Sequence, residues 1–122
     1  MKRVAITGIG AVSAAGLTAA DTWAAVRDGK SGIGPLDIVR QDSISTRIAA
    51  QARGFDPDLH FDPRHSGALD RFSQMAVVAA REAVAQSGLA PDNPALRSAA
   101  AIVGIGVGGM ATLDDSFFRM YG

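Results

Sequence analysis

The chain has 122 residues, 12 Lys plus Arg against 12 Asp plus Glu, 48% apolar residues and no cysteine. The charge balance removes the basic field a nucleic-acid binder needs, and 6% aromatics are too few for base-stacking platforms. The missing cysteine excludes a disulfide framework, a thiolate metal site and a cysteine nucleophile within these residues, while the apolar content marks a globular chain.

Arg3-Val4-Ala5-Ile6-Thr7 is rich in β-branched residues and predicts a buried first strand, ended by a tight turn at Gly8-Ile9-Gly10. Met1-Lys2-Arg3 before small apolar residues, with Thr18-Ala19-Ala20, imitates a secretory signal. Thr7, Gly8, Gly10, Ser13 and Gly16 interrupt the apolar region, and nothing there is leucine-rich, so a first strand is preferred. Residues 11–16 read as a small-residue loop. A helix follows with Thr18 as N-cap, Asp21 at N3 and Gly29 just past the end; Trp23 and Val26 would face inward.

Residues 30–35 read as a turn-rich connection, and residues 44–52 as a strand with one wet face. Phe55-Asp56-Pro57 and Phe61-Asp62-Pro63 are similar aromatic-Asp-Pro turns with one short helical turn between them. A long helix is predicted from about Ser66 to Ser87. Leu69, Phe72, Ala76, Ala79, Ala80 and Ala83 form its apolar stripe, and Met75, Val77, Val78 and Val84 widen it into a central helix. Gly88 ends it, and Pro91, Asn93 and Pro94 make a loop to a second buried strand, residues 99–103.

That strand runs into Gly104-Ile105-Gly106-Val107-Gly108-Gly109, four glycines within six residues. Thr112 then opens a helix to about Tyr121, with Asp115 three residues on. Strand, glycine turn and helix in this order place the turn at the carboxyl edge of a sheet, where ligands are held. The whole pattern is α/β with parallel pairing, and residues 1–122 show no internal boundary, as one domain or part of a larger one. No segment approaches the roughly 20 continuous apolar residues of a membrane span.

The chemistry legible in single residues is sparse. Gly104-x-Gly106-x-x-Gly109 satisfies the dinucleotide fingerprint, but it comes late, and the acidic residue expected about 20 positions on has no counterpart in the chain. His60 and His65 lack a third metal ligand beyond a conceivable Asp58 or Asp62, so no metal or cofactor is assigned. Arg64 and Arg71 flank the start of the long helix, as a solvated face or a docking site for an acidic partner.

Four stretches in register resemble the N-terminal part of an elongating type II β-ketoacyl-acyl-carrier-protein synthase. They are residues 3–13, Lys30-Ser31-Gly32-Ile33, Leu69-Asp70-Arg71-Phe72 opening the helix to Ser87-Gly88-Leu89, and residues 104–109. The resemblance implies the thiolase-like fold, an αβαβα sandwich of two duplicated halves, of which these residues make the greater part of the first. It implies a cytoplasmic dimeric acyltransferase that condenses an acyl thioester with malonyl on an acyl carrier protein, in fatty acid, polyketide or polyene synthesis. The family's catalytic cysteine and two histidines have no counterpart here, and neither His60 nor His65 matches. No catalytic residue is therefore carried over, and the chain alone is expected to be inactive.

Two features do carry over. Val107 matches the aliphatic residue that lines the family's acyl pocket near the dimer interface, with Gly106, Gly108 and Gly109 shaping the turn. Arg64 falls on the basic patch offered to the carrier protein, although Gly67 and Ala68 stand where fatty-acid enzymes commonly have basic residues. A non-catalytic, chain-length-factor-type subunit of a heterodimer is the alternative, and a dinucleotide-binding domain a second.

Overall fold

The computed structural model describes residues 3–38, 44–90 and 92–122. In chain order it contains α1 (Ala19–Arg27), β1 (Ile33–Pro35), β2 (Ile48–Ala50), a 3₁₀ turn (Pro57–Leu59), α2 (Pro63–Ser66), α3 (Arg71–Gln86), α4 (Pro94–Arg97) and α5 (Met110–Tyr121). Local capping chemistry places several of these as the sequence predicts. The Thr18 hydroxyl accepts the Asp21 N–H at 3.1 Å and donates to the Asp21 carboxylate at 2.7 Å, and Gly29 follows the helix with a φ of 66°. Asp56 accepts the Asp58 N–H at 3.0 Å to start the 3₁₀ turn, and Asp62 accepts the Arg64 N–H at 2.8 Å to start α2. Each is followed by a proline, which needs no N–H partner there.

The long helix is where the reading from residues needs its first correction. It begins five residues later than expected, at Arg71, and residues 67–70 separate it from the short helix α2. Asp70 is extended, with φ −61° and ψ 150°, and α3 starts after it. The pieces stay joined because buried Gln74 donates from Nε2 to the Ser66 carbonyl at 2.8 Å, satisfying the exposed end of α2. The remaining α3 is a spine covered on one side only. Val77, Ala80, Val84 and Leu89 line an open apolar groove with Arg81 on the other.

The N-terminal segment runs beside α3, and here too the expectation changes. The Ile9 N–H donates to Gln86 Oε1 at 2.6 Å, and the Ala11 N–H to Glu82 Oε2 at 2.9 Å. A β-carbon on Gly8 would strike the Ala83 carbonyl oxygen, and one on Gly10 the Ala79 oxygen. These glycines permit a close main-chain approach, not a tight turn. The reversal falls later, where the Ser13 N–H donates to the Gly16 carbonyl at 2.8 Å.

Glu82 also accepts the Ala19 N–H at 2.9 Å, and the Thr22 hydroxyl donates to the Gly16 carbonyl at 3.2 Å. These bonds turn the small residues of α1 inward. Ala25 is buried, while Trp23, expected inside, is 65% exposed, and Val26 is exposed with it.

The sheet differs most from expectation. β1 and β2 pair antiparallel, Ile33 opposite Ala50 and Pro35 opposite Ile48. β1 thus lies in the stretch read as a turn, and β2 takes only part of residues 44–52. Residues 3–7 and 99–103, read as buried parallel strands, have no pairing partner among the described residues. Val4 is 96% and Ile102 95% exposed. A strand is stabilised by a neighbour that takes its N–H and C=O groups, and apolar, β-branched sequence alone cannot supply one. The fold of the described residues is thus mixed α/β with a small antiparallel sheet. Its apolar core gathers at Ala25 and Phe55, the latter stacked on His60 at 5.5 Å and capped by the Arg71 guanidinium at 5.3 Å.

Candidate functional site

The glycine-rich turn meets the start of α3. Gly109 has a φ of 69°, a left-handed conformation suited to glycine, and stands as N-cap of α5. The helix therefore begins at Met110, and Thr112, expected to open it, lies inside its first turn. Gly109 has no side chain with which to cap α5. The neighbouring charge comes from Asp70. Its Oδ1 accepts the Thr112 hydroxyl, and its Oδ2 would lie 3.0 Å from a β-carbon on Gly109. A carboxylate at this end of a helix is favoured by the helix dipole. Asp70 occupies the N-cap place of α3 but makes no capping bond there.

Two residues on, the Phe72 ring covers Gly108. A β-carbon at that glycine would stand 2.6 Å from Phe72 Cζ, so any larger residue would have to push the ring aside. Between these contacts lies a cavity of about 240 Å³, lined by Asp70, Phe72, Val107, Gly108, Gly109 and Thr112 among others. Val107 forms its rim and is 79% exposed. Gly106 is not part of the lining; a β-carbon there would meet nothing within 4 Å.

The other candidate residues stand elsewhere. Arg64 is exposed on α2 and does not line this cavity. His60 and His65 share a separate cavity of about 410 Å³ with Phe61, Asp62 and Arg81. Arg81 is held over the Phe61 ring at 4.9 Å and donates to the His60 carbonyl at 2.8 Å. Among the described residues, no group of three His, Cys, Asp or Glu side chains is placed to hold a metal. A larger cleft of about 760 Å³ lies by Ser13, Asp37, Gln51, Arg53, Arg71 and Met75. Its guanidiniums are engaged with main-chain carbonyls, Arg71 with Ala52 at 3.0 Å and Arg53 with Pro35. The dinucleotide reading meets a physical obstacle: the Asp70 carboxylate stands at the helix N-terminus where a pyrophosphate would sit, and like charges repel.

Residues 1–120 match the family model described as β-ketoacyl synthase, N-terminal domain. This chain belongs to that family. Its similarity to 3-oxoacyl-[acyl-carrier-protein] synthase 2 of Coxiella burnetii is 37% identity over 116 residues, covering 95% of this chain and 28% of that protein. Similarity to nodulation protein E of a Rhizobium species is 36% over 116 residues, covering 95% of this chain and 29% of that protein. The 3-oxoacyl-[acyl-carrier-protein] synthase 2 of Staphylococcus aureus strain N315 is 34% identical over 113 residues, 93% of this chain and 27% of that protein. The chain thus spans well under a third of the length of these relatives. Within this β-ketoacyl synthase domain, the structure sets residues 104–109 against residues 69–72, and residues 3–13 against the later turns of the helix that they open. No helix of the described residues is long and apolar enough to cross a membrane.

Glu82, Gln86 and Gln74 hold the segments around α3, and residue reading did not single them out. The signal was there for Glu82: an ionisable side chain beside the apolar stripe of a helix needs a partner, and two main-chain N–H groups supply it.

Proposed function

We propose that these residues are the leading segment of a β-ketoacyl-acyl-carrier-protein synthase of thiolase-like αβαβα fold. They supply an acyl-pocket wall and part of a dimer surface, and they are the N-terminal part of one domain with no internal boundary. The observation that carries this is the cavity between Asp70-Arg71-Phe72 and Val107-Gly108-Gly109, built by two stretches of family resemblance. In the proposed reaction an acyl group is held as a thioester on a cysteine outside these residues. Malonyl on the carrier protein loses CO₂, and the resulting enolate attacks the thioester carbonyl. The new carbon–carbon bond forms as the carbon–sulfur bond breaks, and the thiolate leaves. The residues of this chain position the acyl tail; the thiolate, its histidines and the oxyanion donors come from elsewhere. Arg64, exposed at the start of α2, is the proposed contact for the acidic carrier protein.

The test is condensation of acyl and malonyl carrier-protein thioesters by the full-length protein that carries this sequence. Formation of a 3-oxoacyl product with CO₂ release is expected, and the 122-residue chain alone is expected to form none. Absence of product from the full-length protein would overturn the reading. Val107→Phe, which fills the rim of the cavity, should lower kcat/KM for long acyl primers about tenfold relative to short ones.

A second reading, a non-catalytic subunit that sets chain length in a heterodimer, is favoured by one observation. Gly67 and Ala68, exposed between α2 and α3, place no charge beside Arg64 on the carrier-facing segment. Product formed only when a second ketosynthase-like chain is added would select that reading.

A further inference from the structure

The geometry points to Asp70 as a positioning residue that sets the depth of the acyl cavity through Thr112. The inference rests on the acyl-pocket reading above and adds the element that holds the pocket wall in place. Asp70 is in the N-cap position of α3, where an aspartate ordinarily accepts a main-chain N–H of its own helix. Here no such bond forms. The carboxylate instead reaches across 42 positions of sequence to the Thr112 hydroxyl in the first turn of α5, with its second oxygen against Gly109. Phe72 covers Gly108 from the same turn of α3. The two contacts, one polar and one apolar, flank the cavity with Val107 on its rim.

At the far end of α5, Phe117, Met120 and Tyr121 are exposed. The contacts that hold the glycine turn at residues 108–109 come from Phe72 and Asp70. Releasing the Thr112 hydroxyl frees the turn to shift relative to Phe72, which changes how far an acyl tail can enter. Asp70 acts through the Thr112 hydroxyl and the turn, as a positioning residue.

The experiment uses the full-length protein and acyl primers graded from short to long. Asp70→Ala and Thr112→Val should each change the long-to-short ratio of kcat/KM about tenfold. The double variant should change it no further than either single variant, because both remove one shared contact. Asp70→Asn keeps an acceptor oxygen for the Thr112 hydroxyl and should restore most of the wild-type ratio. A merely structural Asp70 would instead lower kcat/KM for every primer alike, and that outcome overturns the inference. Thr112→Val is nearly isosteric and decides the matter if Asp70→Ala does not fold. Val107→Phe separates the two levels of argument. If it shifts the ratio and the Asp70 and Thr112 variants do not, the latch is wrong and the pocket stands. If none of them shifts it, the acyl-pocket reading fails and the latch falls with it.

Discussion

The Glu82 carboxylate, partly buried on α3, accepts main-chain N–H groups from Ala11 and from Ala19 at the start of α1. One side chain therefore ties the N-terminal segment and the first helix to the spine. Glu82→Ala in the full-length protein leaves both donors without that acceptor. It should lower stability by about 2 kcal/mol, read from the urea midpoint. Glu82→Gln, which keeps one acceptor oxygen, should lose less; equal losses would show that the single retained oxygen contributes nothing and that the carboxylate's second oxygen and charge carry the effect. Gly10→Ala tests the path of the same segment. The added methyl would meet the Ala79 carbonyl oxygen, and overpacking against main chain should cost about 1–3 kcal/mol. A melting temperature unchanged from wild type would mean that the segment does not run beside α3. The glycines themselves were legible in the sequence, but their task was not. A tight turn and a close approach ask for the same residue, and only the neighbouring helix distinguishes them.

At the scale of elements, the starts capped by Thr18, Asp56 and Asp62 were readable; α4, capped by Asn93 in a stretch read as a loop, and the strands were not. Thr18, Asp56 and Asp62 act within three residues of themselves, so their spacing alone decides where a helix or turn begins. The gap at residues 67–70 was hidden because Leu69 and Phe72 continue the apolar period of α3 back into it. The tie that spans the gap is the Gln74 amide on the Ser66 carbonyl. Gln74→Ala should loosen α2 by about 1 kcal/mol. Hydrogen exchange at the amides of α2 should accelerate several-fold while those in the middle of α3 keep their protection; uniform acceleration along both helices would refute a local tie. The candidate site shows the same division. Its glycine turn could be located from sequence, whereas the Asp70–Thr112 contact joins residues far apart in the chain and has no local signature.

For the molecule as a whole, the decisive feature is the apolar surface left uncovered: Val4, Ile6, Trp23, Val26, Ile102, Phe117 and Tyr121 are all exposed. Residues 3–7 and 99–103 add main-chain groups without a strand partner among the described residues. Such edges and patches pair with whatever is available. The 122-residue chain alone is accordingly expected to self-associate and to melt without a cooperative transition. Size-exclusion chromatography with light scattering and a thermal scan check this; a monodisperse monomer with one sharp transition would overturn it.

Sequence by itself determined the family, the starts of α1, the 3₁₀ turn and α2, and the place of the glycine turn. Each depends on residue identity over a short span or on the order of such spans along the chain. Tertiary structure alone decided which side of α1 is covered, why Gly8 and Gly10 are glycines, and that Asp70 and Phe72 stand against the glycine turn around one cavity. Those outcomes depend on which surfaces and main-chain groups find a partner. A local pattern can make a segment suited to be a strand or a pocket wall, but the neighbour that completes it comes from a distant part of the fold.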